Sequence, residues 1–337
     1  MLKKLIATTL LVTIGFANTQ EVNIYSHRHY DTDKQLYKIF EKDTGIKVNV
    51  VKAKANELIK RLELEGKNSP ADILITSDAA RLYLAQQKGL LQKVSSKKLN
   101  ELVPSNLRQK DGYWYALTKR ARVIVYNKDK INPSILSTYK ALTSSNLKGK
   151  VLIRKASNIY NQSLLASMIA NDGKQKAKEW AKAMVNNFAR VPKGSDRDQM
   201  KAVAAGVGDI AVVNTYYVGK LLNSKKRSEV EVGKKMEVFF PNQGVNDRGT
   251  HINISGAGVT KYSKNKDNAI KLIEFLLSKK AQSLFAKANY EYPVNENVES
   301  SKLLKSWGTF KEDTLSLEAL GQNNAKAVKI FNEVNWK

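Results

Sequence analysis

Apolar and polar positions along the chain follow two rhythms, a period of two that marks strands and a period near 3.6 that marks helices. Glu21-Val-Asn-Ile-Tyr-Ser26 alternates, with Val22 and Ile24 on one face. After His27-Arg-His-Tyr30, Asp31 and Asp33 open a helix over Lys34–Lys42 whose Leu36, Ile39 and Phe40 cover one side. Thr44-Gly45 stops it, and Ile46–Val51 alternates again. A strand, a helix and a second strand of this kind predict a parallel pair. A helix over Asn56–Leu64, an apolar strand over Asp72–Thr76 and a helix from the Asp78 cap to Lys88 continue the alternation and build an open α/β sheet.

Thr118–Asn127, with Arg122–Tyr126 as its apolar part, is a strand long enough to bridge two domains. Beyond it, Asn132-Pro133 and a polar stretch to Gly149 form a connection, and the same grammar starts again. Lys150–Arg154 reads as a strand, Gln162–Ala170 and Lys174–Asn186 as helices, and Asp209–Val213 as a buried strand. Val230–Phe240 gives a further strand ended by Pro241, and His251–Val259 a second bridging strand, followed by helices over Asn268–Leu277 and Lys280–Ala288. Two crossings mean that neither domain is continuous in sequence.

Composition narrows the class. A chain of 337 residues with 42% hydrophobic content buries a sizeable core and has room for two domains. Lys3 and Lys4 precede an apolar run from Leu5 to Phe16, with Gly15 and Ala17 placed as a cleavage site, the pattern of a secretory signal peptide ending near residue 19. That run is shorter than the ~20 residues of a membrane span. Zero cysteines exclude a disulfide framework, a thiolate metal site and a cysteine nucleophile, and an exported chain without cysteine suits a Gram-negative periplasm. The formal charge of +26 comes from 57 Lys and Arg against 31 Asp and Glu. Its lysines are scattered over helical segments rather than gathered in a stripe, so the basic surface reads as solvated and nucleic acid is not an expected partner.

The candidate chemistry lies where strands end. In open α/β sheets ligands bind outside the carboxyl ends of the strands, and three such exits carry phenols: His29-Tyr30, Tyr160 and Tyr216-Tyr217. With 14 tyrosines in the chain, chance alone puts a Tyr-Tyr pair in roughly every second chain of this size, so the pair gains meaning only from the other exits. Each exit precedes a helix start, where unpaired N–H groups and the helix dipole favour negative charge. Phenolate is a hard oxygen donor, and four phenolates with a neutral His29 imidazole suit a trivalent ion such as Fe³⁺ better than Zn²⁺, Ca²⁺ or Mg²⁺. The resulting charge of minus one calls for a guanidinium nearby, and Arg28, Arg120 and Arg122 are candidates. His27 shares the first exit with His29, and His29 is favoured because it adjoins Tyr30; His251 reads as a structural histidine. Because successive helical residues diverge by roughly 100°, Tyr216 and Tyr217 are expected on a loop or at a helix's first residue.

The segments Ser26-His-Arg-His-Tyr-Asp-Thr-Asp33, Arg120-Ala-Arg-Val-Ile-Val-Tyr-Asn127, Ser157-Asn-Ile-Tyr160, Asn214-Thr-Tyr-Tyr217 and His251-Ile-Asn-Ile-Ser-Gly256 resemble the periplasmic ferric-ion-binding proteins of bacterial ABC iron importers, in their tyrosine-rich subgroup. The resemblance covers nearly the whole mature chain. It implies a two-lobed, transferrin-like periplasmic binding protein of type II, an α/β fold in which each lobe is an open mixed sheet flanked by helices and crossing strands form the hinge. The lobes would comprise 20–118 with 255–300 and 119–254 with 301–337. Carried over, His29 and Tyr30 come from the first lobe and Tyr160, Tyr216 and Tyr217 from the second, with water or carbonate as a possible sixth ligand. A monomer that delivers Fe³⁺ to an inner-membrane ABC permease is expected, and not an enzyme, since no nucleophile motif accompanies the three histidines. The alternative is a solute-binding protein for an anion or small organic molecule, held by arginines and helix N-termini.

Overall fold

The computed structural model describes residues 20–28 and 30–337, so the leader reading for 1–19 and the His29 assignment lie outside the described residues. Eight strands follow in chain order: β1 (Glu21–Ser26), β2 (Lys47–Lys52), β3 (Ile73–Thr76), β4 (Tyr115–Asn127), β5 (Val151–Leu152), β6 (Ile210–Asn214), β7 (Met236–Phe239) and β8 (Ile252–Val259). Their order across the molecule is β2-β1-β3-β8-β4-β6-β5, with β7 also paired to β4. β1 is parallel to both β2 and β3, as the strand-helix-strand rhythm predicts. The helix between β1 and β2, Asp31–Thr44, ends on Gly45 in the left-handed region at φ 73°, a conformation that glycine adopts without steric cost.

β4 and β8 make the crossing. The first half of β4, Tyr115–Ala121, pairs antiparallel with β8, while Arg122–Tyr126 pairs with β6 and Ile124–Asn127 with β7. One continuous strand therefore belongs to both halves of the two-lobed molecule. Side-chain alternation then serves two cores. Ile124, Tyr126, Ile210 and Val212 face a cluster with Leu164, Met184, Phe331 and Trp336, whereas Val123, Val125, Ala211 and Val213 face the opposite cluster. Strands covered on both faces read as near-continuous apolar runs, which is why both were visible in sequence.

Two element expectations need correction. Val230–Phe240 is not one strand: Arg227–Lys234 is a helix and only Met236–Phe239 forms β7. The Glu-Val alternation is compatible with both periods, and packing decides. The helix folds back on its neighbour Thr215–Leu222, where Gly233 comes so close to Leu222 that an added Cβ would lie 2.9 Å from its Cδ2. Lys150–Arg154 shortens to the two-residue β5, because the chain turns beyond Ile153 and the Asn161 amide takes up the Arg154 carbonyl. Among the described residues no helix is long and apolar enough to cross a membrane.

Asp72 ties the first half together. Its fully buried carboxylate accepts from the Asn23 backbone N–H at 2.8 Å, from Ser263 Oγ at 2.7 Å and from the Asn265 backbone N–H at 2.9 Å, joining β1, β3 and the turn after β8. Asp72→Ala leaves those donors without their partner and should cost about 3 kcal/mol of stability, read as a lower urea midpoint with an unchanged slope.

Candidate metal centre

Three β-to-α junctions place the tyrosines. After β1 the chain reaches Tyr30, which is the N-cap of the helix Asp31–Thr44, in extended backbone at φ −86°, ψ 148°. After β5, Asn158 caps the helix Ile159–Asp172 by accepting from the Tyr160 backbone N–H at 3.1 Å, so Tyr160 is that helix's second residue. After β6, Asn214 leads into the helix Thr215–Leu222 and puts Tyr216 and Tyr217 at its second and third positions. All four phenols thus belong to helix N-termini, whose unpaired N–H groups favour negative charge nearby.

The pair, expected on a loop or at a helix's first residue, instead occupies the second and third residues of this helix. The two side chains leave the backbone roughly 100° apart, yet their rings converge to a centroid separation of 4.2 Å at 34°. In the first turn no preceding helical turn occupies the space that the rings need. Tyr216 is the hub: its hydroxyl lies 3.2 Å from that of Tyr160, and its ring meets that of Tyr30 edge-on at 6.4 Å. Chain segments nearly two hundred residues apart are therefore gathered around one phenol. Among the described residues no three His, Asp or Glu side chains converge in a way that could hold a metal, and the oxygen-rich cluster at this place is the set of tyrosines. Deprotonated, it suits a hard, highly charged cation.

Burial favours the neutral form of Tyr30, Tyr216 and Tyr217. Burial pushes Tyr216 well above the ordinary phenol value, and the neighbouring tyrosines add to the rise. Tyr30 is raised by burial and by Glu291 and Tyr160, against the pull of Arg28. Tyr217 is raised by burial, Tyr160 and Asp196, against its hydrogen bond with Tyr216.

The arginines occupy several posts. Arg120, Arg154 and Arg122 stand 5.2, 5.6 and 5.9 Å from the centre of the Tyr160 ring, and Arg28 stands 4.9 Å from that of Tyr30. Arg28 is buried between Asp33 at 3.0 Å and Glu291 at 2.9 Å, and Arg122 meets Asp196 at 2.7 Å. Arg120 lies 3.9 Å from Asp78. The Asn214 side-chain oxygen accepts from Arg122 at 3.3 Å. His251, packed beside Arg248, Arg120 and Arg122, is kept neutral first by burial and then by those charges. His27 lies on the first exit, where its backbone N–H donates to the Ile75 carbonyl.

Lys220 was missed from sequence. Its ammonium lies 3.5 Å from the centre of the Tyr30 ring and 5.4 Å from that of Tyr216, and burial pulls its pKa down to about 8. One helical turn separates it from Tyr216, so helical spacing from the pair would have found it. Glu291 had no local signal, being 263 positions from the Arg28 that it grips. A cavity of about 710 Å³ beside Trp180 and Arg248 is lined by none of Tyr30, Tyr160, Tyr216 and Tyr217.

The chain matches known proteins along most of its length. The family of bacterial extracellular solute-binding proteins matches residues 68–312. Iron uptake protein A1 of Synechocystis sp. is 50% identical over 318 residues, 94% of this chain and 88% of that protein. A Trichodesmium protein (IdiA, FutA) solved in complex with iron and citrate superposes with a TM-score of 0.90 at 50% identity, over 94% of this chain and all of that one. The ferric binding protein of Campylobacter jejuni gives 0.89 at 51%, over 94% of this chain and 100% of its own.

Removing Arg28 tests the support beneath Tyr30. Arg28→Met leaves Asp33 and Glu291 buried without their cation, which should destabilise the protein by about 3–5 kcal/mol and lower the melting temperature measured by circular dichroism.

Proposed function

The chain belongs to the bacterial extracellular solute-binding proteins, in the branch of the iron-uptake and ferric-binding proteins, and from that membership we propose that it is a periplasmic carrier that captures Fe³⁺ between its lobes. The ligands in this reading are the phenolates of Tyr30, Tyr160, Tyr216 and Tyr217 with the imidazole of His29, and water or carbonate fills the remaining position. The observation that carries it is the convergence of phenols from three strand exits on Tyr216, at 3.2 Å from Tyr160 and in ring contact with Tyr30 and Tyr217. We take the first lobe to be 20–118 with 255–300 and the second 119–254 with 301–337. Tyr30 then belongs to one lobe and the other three phenols to its partner, so a bound ion favours the closed form through bonds that the open form lacks.

Charge balance follows. Four phenolates and one Fe³⁺ leave a net charge of minus one, and the ammonium of Lys220, directed at the rings of Tyr30 and Tyr216, is placed to offset it. Delivery is to an ABC permease in the inner membrane, with release on phenol protonation, reduction of the ion or forced opening. An anion held by the three guanidinium groups around Tyr160 is the competing reading; it predicts a colourless complex, whereas phenolate-to-Fe³⁺ charge transfer gives a visible band.

Iron loading of the purified protein should therefore produce colour. Tyr216→Phe should weaken and shift the band, and a colourless loaded wild type would overturn the reading. Loading must also expel phenol protons, about four per ion, so retention weakens as pH falls; proton release into an unbuffered indicator solution measures this. Lys220→Met should keep the colour but hold Fe³⁺ about tenfold more weakly in competition with citrate, the scale of one lost charge a few ångströms away in a partly screened site.

A further inference from the structure

Two residues beyond the phenol pair, the same helix runs against a segment anchored to β4 through Lys119 and Tyr292. Gly219 is buried there, and the ring of Tyr290 lies on it: a Cβ added to Gly219 would stand 2.5 Å from Tyr290 Cγ and 2.6 Å from its Cβ. That is far inside the carbon contact distance of ~3.5 Å. The only residue that fits under the ring is the one without a side chain.

Tyr290 is itself held in an unfavourable conformation. Three described non-glycine residues have positive φ: Asn242, Asn335 and Tyr290, the last at 58°. Asparagine tolerates the left-handed region, whereas a bulky aromatic residue there is strained. Its neighbours account for it. The Asn289 side-chain Oδ1 accepts from Thr32 Oγ1 at 3.1 Å, the Glu291 carboxylate grips Arg28, and Tyr292 exchanges backbone hydrogen bonds with Lys119. With both neighbours fixed, the Tyr290 ring projects onto the opposing helix. One residue past Gly219, Lys220 reaches the Tyr30 ring at 3.5 Å. Residues 219–220 on one side and 30 and 290 on the other thus form a seam next to the phenols.

We infer that Gly219 and Tyr290 are positioning residues for the captured ion: the bare Cα of Gly219 lets the Tyr216-Tyr217 helix seat on Tyr290, and this contact, which includes no ligand, sets how long the closed cleft retains its cargo. The inference rests on the ferric reading above. Alanine at 219 holds the helix a carbon's width away from Tyr290, so the phenols of the two lobes no longer meet at full closure.

Alanine is the better helix former, so Gly219→Ala should leave the melting temperature of the iron-free protein equal or raised. Its iron-loaded form should nevertheless release Fe³⁺ to citrate about tenfold faster than wild type, affinity changes of this kind residing mainly in dissociation, and its scattering radius should contract less on loading. Tyr290→Gly relieves the strain and empties the space, and on that background Gly219→Ala should add no further loss. A glycine needed only for packing would instead lower the iron-free melting temperature and show no rescue. Wild-type release and contraction in Gly219→Ala, or an equal loss on the Tyr290→Gly background, overturns the inference. Should Gly219→Ala not fold, Tyr290→Gly alone decides, with faster release expected and wild-type release overturning. A wild type that stays colourless with iron removes the ferric reading and this inference together; a coloured wild type with unchanged variants removes the inference alone.

Discussion

The hydroxyl of Tyr216 is buried where it cannot ionise unaided, and the rest of the structure is organised around that condition. A phenol 2% exposed, touching three other phenols, has lost the water that would solvate a phenolate. Neutral, the cluster is a set of hydrogen-bonded aromatic rings. Charged, such a cluster would need a multivalent cation, and the helix N-termini behind Tyr30, Tyr160 and Tyr216 would add to its effect rather than replace it. The strand exits exist to bring those three helix starts to one place.

The basic groups divide their labour around the same condition. Arg28 is enclosed by Asp33 and Glu291, and Arg122 by Asp196, so each is an internal ion pair that fixes backbone near a phenol. Breaking such a pair is costly because the remaining charge stays buried. Lys220, by contrast, points its charge at the aromatic faces, and its lowered pKa reflects burial. Position in the fold, more than residue type, separates a structural cation from one that faces the cluster.

Much of this was legible in the residues, for identifiable reasons. Val22 and Ile24 alternate with the half-buried Glu21 and Asn23 at the start of β1, and β4 and β6 read as apolar runs because both of their faces are covered. The tyrosine exits were visible because a strand end and a helix cap are both local signals. What depends on distant partners was not: Glu291 against Arg28, and Tyr290 against Gly219. The stretch 230–240 misled because Glu-Val repeats satisfy either period until Gly233 meets Leu222. The Tyr216-Tyr217 pair was expected on a loop or at a helix's first residue from backbone divergence alone, and long side chains at the second and third positions of a first turn converge regardless.

The sharing of β4 has a consequence for how the molecule can be taken apart. Its 13 residues pair with β8 over one half and with β6 and β7 over the other, so no cut in the chain frees one lobe without stripping the other of a central strand. Either half expressed alone would present raw sheet edges, the condition that invites aggregation. Gene fragments of this protein should therefore complement one another only when produced together, and an insertion is better placed in the exposed loop around Val245 than at the apparent waist between the lobes.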